Sequence, residues 1–252
     1  NRESMIQEYQ VSGFRVREYE ELRSTNTEAE RVGWDELEDK MVILTYKQTQ
    51  GRGQVGNHWE SEPGKNISMT VVFKPRELPA GQQFAVSMVI ALGACDFISR
   101  YVAGCTVKWP NDIYVGDRKI SGILIEHSIM GRYVGGSLCG IGVNINQEHF
   151  LSDAPNPVSL FQLIGGKMPV ERALEELLDC IGRRYESIRD YEGLERDFLK
   201  VLYRREGMYH WEDERGVFRA SIRGVNEFGQ LVLEDEGGNE RVYGFKEISY
   251  KF

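Results

Sequence analysis

Apolar residues in this chain form short dense runs, helical stripes and alternating segments, and each kind predicts a different element. Residues 41–46 and 67–73 are largely apolar runs of strand length, and 14–22 mixes β-branched and aromatic residues with charges, as a strand with one wet face does. Phe84, Met88, Leu92, Cys95 and Ile98 recur at three and four residues and predict a buried helix. Leu174, Leu177, Leu178, Ile181, Tyr185 and Ile188 predict a second helix, 194–203 a third and 159–164 a short one. Strands are expected at 106–109, 113–115 and 118–126, the last two joined by the turn Gly116-Asp117. Residues 135–146 read as a further strand in which Gly140 and Gly142 suggest a pocket wall, because interior glycine weakens a strand unless something approaches it closely. From about Arg205 the pattern turns to short alternating strands at 217–225, 230–234 and 240–245. This divides the chain into a main unit, 1–204, and a small β unit, 205–252, that docks on it.

Two polar stretches interrupt these elements where local structure and ligand binding compete as explanations. Ser24-Thr25-Asn26 opens a helical pattern, and Thr25 with Glu28 has the capping-box spacing. A helix N-terminus also offers unpaired N–H groups to a ligand. Between the strands at 41–46 and 67–73 lies a long connection, with Gly51, Gly53 and Gly56 around Arg52. Alone it is a hairpin link, but glycines admit close backbone approach and the guanidinium suits an anion. Its length raises the weight of the second reading.

Composition narrows the classes. The 252 residues are 41% hydrophobic and 28% charged, enough for a sizeable core. Lys plus Arg is 31 against 39 for Asp plus Glu, a net charge of −8, so a broad DNA footprint is not expected. Cys95, Cys105, Cys139 and Cys180 form no CxxC pair, which argues against a zinc site or a disulfide scaffold and for a reducing, cytoplasmic setting. No signal segment stands out in the first ten residues. The apolar stretch 84–98 contains Ser87 and Asp96 and is short for a bilayer, so no membrane association is expected.

Five segments in order carry a resemblance. Ser24-Thr25-Asn26, the GlyArgGlyGlnValGly loop running to Trp59, LysTrpProAsnAsp at 108–112, ArgLysIleSerGlyIleLeuIleGlu at 118–126 and GlyIleGlyValAsn at 140–144 together resemble the biotin protein ligases. The resemblance covers nearly the whole chain from Phe14. It implies an α+β fold of class II synthetase type, a mixed β-sheet flanked by helices, followed by a small SH3-like β-barrel. It also implies that biotin and MgATP give biotinyl-5′-AMP, and that biotin passes from it to a lysine on the carrier domain of a biotin-dependent carboxylase. Mg²⁺ is expected to arrive with ATP rather than in a protein cage.

The resemblance assigns roles residue by residue. Lys119 matches the lysine that contacts the biotin carboxylate and the α-phosphate, Arg52 the arginine folding over both ligands, and Asp112 is the candidate for orienting or deprotonating the acceptor amine. Ser24, Thr25, Asn26, Gln48, Gly51, Gly122 and Gly140 match the biotin side. Trp59, Asn66, Lys108, Asn111, Asn144 and Lys251 match the nucleotide side. The loop departs from the family pattern at Gln54 and Asn57, where arginines are common; this predicts weaker retention of the adenylate. Only a short segment precedes the first strand, so the DNA-binding unit of repressor-type members, and repressor activity, are not expected. The LysTrpProAsnAsp corner disfavours lipoate or octanoate transfer, and Lys119 with Asp112 disfavours a non-catalytic sensor. Whether the chain forms a homodimer is left open.

Overall fold

The computed structural model describes residues 4–53, 58–152 and 156–252. Gln54 and Asn57 therefore lie outside the described residues. In chain order, β1 (Met5–Val11) and β2 (Phe14–Tyr19) form a hairpin, α1 (Thr25–Val32) crosses over, and β3 (Met41–Thr45) runs parallel to β2. The two-residue strands β4 (Gly51–Arg52) and β5 (His58–Trp59) pair with each other, and β6 (Ile67–Phe73) is antiparallel to β3. Then come α2 (Phe84–Ser99), β7 (Cys105–Lys108), β8 (Asp112–Val115), β9 (Arg118–Met130) and β10 (Tyr133–Val143). Helices α3 (Leu160–Ile164), α4 (Val170–Tyr185) and α5 (Tyr191–Lys200) lead to β11 (Met208–Asp213), β12 (Gly216–Val225), β13 (Leu231–Asp235), β14 (Glu240–Tyr243) and β15 (Ser249–Tyr250).

The first ten strands, without β4 and β5, build a mixed eight-stranded sheet in the order β1-β2-β3-β6-β10-β9-β8-β7. Its central strands β3 and β6 are buried at every position, which explains their largely apolar sequence, broken only by the small polar residues Thr45, Ser68 and Thr70. Side chains alternate between two apolar layers. Val42 and Leu44 join the large core beneath α2 and α4, whereas Met41 and Ile43 join Tyr19, Leu22, Ala29 and Leu138 in a smaller one beneath α1. The stretch from Ala80 to Ser99 is long and apolar enough to cross a membrane, but 78% of it is buried inside the protein. It packs on α4, α5, β7 and β8, as expected for a core helix.

The C-terminal strands form a five-stranded antiparallel sheet in the order β14-β13-β12-β11-β15. Its buried residues, Trp211, Ala220, Leu231 and Leu233 among them, belong to the same apolar cluster as α2 and α5. The sheet is also tied on by the Trp109 indole, which donates to the Gly229 carbonyl at 2.8 Å. The Trp109–Pro110 peptide is cis.

Several local expectations need correction. The cap of α1 is Ser24, whose hydroxyl accepts from the Thr27 amide at 3.4 Å, and Glu28 is bound to Arg31 instead of closing a box with Thr25. A true capping box does occur at α3, between Ser159 and Gln162. Helix α4 starts and ends earlier than its apolar stripe suggested. Strands β1, β11 and β15 had no sequence signal: β1 is largely exposed and polar, and β15 is two residues long.

His127 on β9 faces its cross-strand partner Ser137, with Nδ1 2.7 Å from the hydroxyl, and burial pushes its pKa down to about 4. The folded state therefore resists a proton that the unfolded chain accepts near 6.5, so stability is full above that pH and falls as pH drops toward 4. We expect a loss of roughly 2 kcal/mol between pH 7 and 4.5 from this group, visible in urea midpoints. His127→Gln should flatten that part of the profile; an unchanged pH dependence would show that His127 is not responsible.

Candidate active site

A cavity of about 610 Å³ opens between α1, the β4–β5 loop, β9, β10 and the segment after β10. Its lining includes Ser24, Thr25, Asn26, Gln48, Arg52, Trp59, Lys108, Asp112, Lys119, Gly122, Gly140 and Asn144. Residues separated by over a hundred positions in sequence thus meet at one site. Its two ends differ in chemistry.

One end is neutral and hydrogen-bonding. The Thr25 amide donates to Gln48 Oε1 at 3.0 Å, and the Asn26 Nδ2 donates to the Leu124 carbonyl at 3.3 Å. Thr70 on β6, buried beneath them, bonds through its hydroxyl to Thr25 Oγ1 at 2.8 Å and to Asn26 Oδ1. The backbone pairs Thr49 N–Leu22 O, 2.9 Å, and Gln50 N–Arg23 O, 2.8 Å, fasten the start of the loop to the link between β2 and α1. These bonds hold four polar side chains at fixed positions before any ligand arrives.

The other end is cationic. Lys119 Nζ is 3.1 Å from Asp112 Oδ2, and its backbone is held by the Asn156 carbonyl at 3.0 Å and the Val158 amide at 2.9 Å. Asp112 opens β8 as the register partner of Lys108, so both lysines line the same end of the cavity as this carboxylate, and only Lys119 is at ion-pair distance from it. Burial holds the Lys108 pKa below the usual lysine range, opposed by Asp112 and reinforced by Lys119. Asn144, 1% exposed, donates to the Val158 carbonyl, while its buried Oδ1 has no partner among the described residues. A buried acceptor left open on a cavity wall is suited to a ligand hydroxyl or amine.

Glycines make the floor between the two ends. Gly122 on β9 and Gly142 on β10 are register partners, and a Cβ on Gly122 would come within 2.9 Å of the Trp59 ring. A Cβ on Gly142 would strike the same indole, and one on Gly140 would lie 2.7 Å from Asn26 Oδ1. The missing side chains let Trp59 lie flat on the sheet, with Lys119 Nζ 5.7 Å from its ring. Gly142→Ala should expel the indole, giving red-shifted and more quenchable tryptophan emission and a stability loss of about 1–3 kcal/mol. Adding Trp59→Ala should restore most of that stability; if it does not, the clash lies elsewhere.

Arg52 sits at the mouth, its Nη2 3.0 Å from both Glu30 on α1 and Glu126 on β9. Burial and the neighbouring Glu30 raise the Glu126 pKa, so the arginine is shared by two carboxylates that repel each other. Four expected residues do not line the cavity. Asn66 is fully buried, bonding Gln147 Oε1 at 2.6 Å and the Ile145 amide at 2.8 Å, which makes it a brace for the wall. Asn111 is buried beside the cavity, Gly51 lies under Gln48 and Trp59, and Lys251 pairs with Glu212 at 3.2 Å.

Sequence reasoning missed another part of the wall. Glu60 accepts from the Leu151 amide at 2.9 Å, the Ser152 amide at 2.8 Å and Gln147 Nε2 at 3.1 Å, which brings Phe150 and Ser152 to the cavity. No periodicity marks Glu60 or Gln147, and the link spans loops far apart in sequence. Among the described residues no cluster of three His, Cys, Asp or Glu side chains could hold a metal ion.

Residues 19–144 match the model of the Biotin/lipoate A/B protein ligase family. The chain is 26% identical over 245 residues to the bifunctional ligase/repressor BirA of Bacillus subtilis, covering 93% of this chain and 74% of that one. It is 34% identical over 124 residues to the biotin--[acetyl-CoA-carboxylase] ligase of Paracoccus denitrificans, covering 48% of this chain and 51% of that one. Among solved structures, the biotin protein ligase from Aquifex aeolicus in complex with biotin and ATP superposes with a TM-score of 0.78 at 21% identity, covering 94% of this chain and 98% of that one. At that identity the likeness concerns the fold.

Proposed function

The chain belongs to the Biotin/lipoate A/B protein ligase family, and from that premise we propose that it is an ATP-dependent biotin protein ligase. Relatives named as biotin ligases, from Paracoccus denitrificans to Homo sapiens, support the reading. The observation that carries it is the division of one cavity into a neutral hydrogen-bonding end and a cationic end joined by a glycine floor. A ureido ring is uncharged and rich in donors and acceptors, so it requires matched partners in a buried site, each mismatch costing about 1–3 kcal/mol. Ser24, Thr25, Asn26 and Gln48 supply such groups. A lipoyl or octanoyl chain has no polar head to use them.

In the first half-reaction a biotin carboxylate oxygen attacks the α-phosphorus of MgATP, the bond to the bridging oxygen breaks, and pyrophosphate leaves. Two anions must meet, and Lys119, Lys108 and Arg52 place fixed positive charge where they do. Asn144 offers its open acceptor to the nucleotide sugar, and Trp59 offers a ring face to the base. Mg²⁺ enters as part of the substrate, held by phosphate oxygens and water. In the second half-reaction a carrier-domain lysine attacks the acyl carbon, AMP leaves, an amide forms and a proton is released. Asp112 orients or deprotonates that amine. The four cysteines are all free and buried, in keeping with a cytoplasmic setting.

Incubation with biotin, MgATP and the carrier domain of a biotin-dependent carboxylase tests the reading. One acceptor lysine should gain biotin, with AMP as co-product. An unmodified carrier domain after prolonged incubation would contradict it.

A further inference from the structure

Lys108 differs from Lys119 in how it is held. It forms no ion pair among the described residues; instead its ammonium is 5.3 Å from the centre of the Tyr114 ring, 4.8 Å from Tyr250 and 5.5 Å from Phe252. The only polar contact of its Nζ there is the Tyr114 hydroxyl at 3.5 Å. Ring faces attract a cation without neutralising it. A lysine held this way is fixed in direction and has no carboxylate at ion-pair distance among the described residues to compete with a ligand in the cavity it lines.

Two of the three rings come from outside the main sheet. Tyr250 lies on β15, is paired in register with Trp211, and packs its ring 4.5 Å from Trp211 and 6.1 Å from Tyr203. Phe252 follows β15, and its ring lies between Lys108 and the Arg204 guanidinium, the latter at 4.5 Å. Arg204 Nη1 also donates to the Lys251 carbonyl at 2.7 Å, and the Lys251 amide donates to the His210 carbonyl at 3.0 Å. These bonds fix the segment carrying both rings. Lys251 itself pairs with Glu212 and is not among the residues lining the cavity.

We propose that Tyr250 and Phe252 are positioning residues for the nucleotide: they cage the Lys108 ammonium so that it meets the phosphates of a nucleoside triphosphate. The C-terminal sheet thereby contributes to nucleotide binding through Lys108, without touching the nucleotide. The burial that the cage provides also agrees with the lowered pKa of Lys108. This proposal rests on the reading of the cavity as a site for biotin and ATP.

The test is calorimetric titration of the full chain with MgATP and, separately, with biotin, for wild type, Tyr250→Leu, Tyr250→Phe, Phe252→Leu and Phe252→Tyr. Each leucine variant should weaken MgATP binding about five- to tenfold, the range expected for losing one partly desolvated cation–ring contact. Biotin affinity should stay within twofold. Both aromatic replacements should restore wild-type nucleotide affinity, which a general loosening of the fold would not allow. Phe252 is 80% exposed, so its leucine variant tests the cage even if the Tyr250→Leu chain fails to fold. Unchanged MgATP affinity in Phe252→Leu, equal losses of biotin and MgATP affinity, or failure of the aromatic replacements to rescue would each overturn the proposal. If MgATP and biotin bind as described but no biotinyl-AMP forms, the ligase reading fails while the cage stands.

Discussion

Lys119→Ala should lower biotin-dependent pyrophosphate formation by a factor of about 10³, while leaving the fold intact. The side chain is 16% exposed and held between Asp112 and the ring of Trp59, and its backbone is bonded on both sides to residues 156–158. Its charge is therefore in place before the substrates arrive. Fixed charges of this kind lose little to reorganisation, and removing one such donor commonly costs about 10²–10³ in rate. The larger value is expected because the proposed reaction brings two anions together at Lys119. Lys119→Arg should not rescue, since a planar guanidinium cannot replace a compact ammonium in a space bounded by Asp112 and the Trp59 ring. Rates are read from pyrophosphate release at saturating biotin and MgATP. Full activity in the alanine variant would mean that another cation does this work.

Asp112→Asn should separate the two half-reactions. The acceptor amine has an ordinary pKa near 10.4 and must lose a proton before it attacks. A carboxylate that accepts or directs that proton contributes about 10²–10⁴ in rate. Asparagine keeps the size and part of the hydrogen bonding toward Lys119 but cannot take a proton. Transfer from preformed biotinyl-AMP to the carrier domain should fall about 10²-fold, and adenylate formation should stay within tenfold. Equal losses in both steps would reassign Asp112 to holding Lys119.

Most of the fold was legible in the hydrophobic pattern where burial was complete. Strand β6 was read to the residue and α2 to within one, because every position of β6 and nearly every position of α2 meets apolar neighbours. Elements held mainly by backbone pairing were not legible. Strand β1 exposes most of its side chains, and β15 owes its place to two pairs with β11. The same division applies to the site. Gly140 stood out by itself, as glycine inside a strand, whereas Lys119 and Asn26 could be named only through the resemblance carried by the five segments together, because a hairpin lysine or a helix-cap asparagine is ordinary when seen alone. The Glu60–Gln147 brace and the Tyr250–Phe252 cage could not, since ordinary residues acquire those roles only when distant loops meet.

The loop around Arg52 remains the part where sequence and structure supply different facts. The sequence shows one arginine where the family commonly has three, and the structure shows that arginine bound to Glu30 and Glu126 at 3.0 Å each. A guanidinium shared between two carboxylates must give up part of that pairing to close over an anion. If Arg52 closes over the adenylate as proposed, that competition adds to the effect expected from Gln54 and Asn57.

The central claim is that one cavity joins biotin to the α-phosphate of ATP before any acceptor is present. The most direct measurement is isotopic exchange of pyrophosphate into ATP, with and without biotin, in the absence of a carrier domain. The account predicts exchange that requires both biotin and Mg²⁺ and is lost in Lys119→Ala. Exchange that proceeds without biotin, or no exchange at saturating biotin and MgATP, would contradict it.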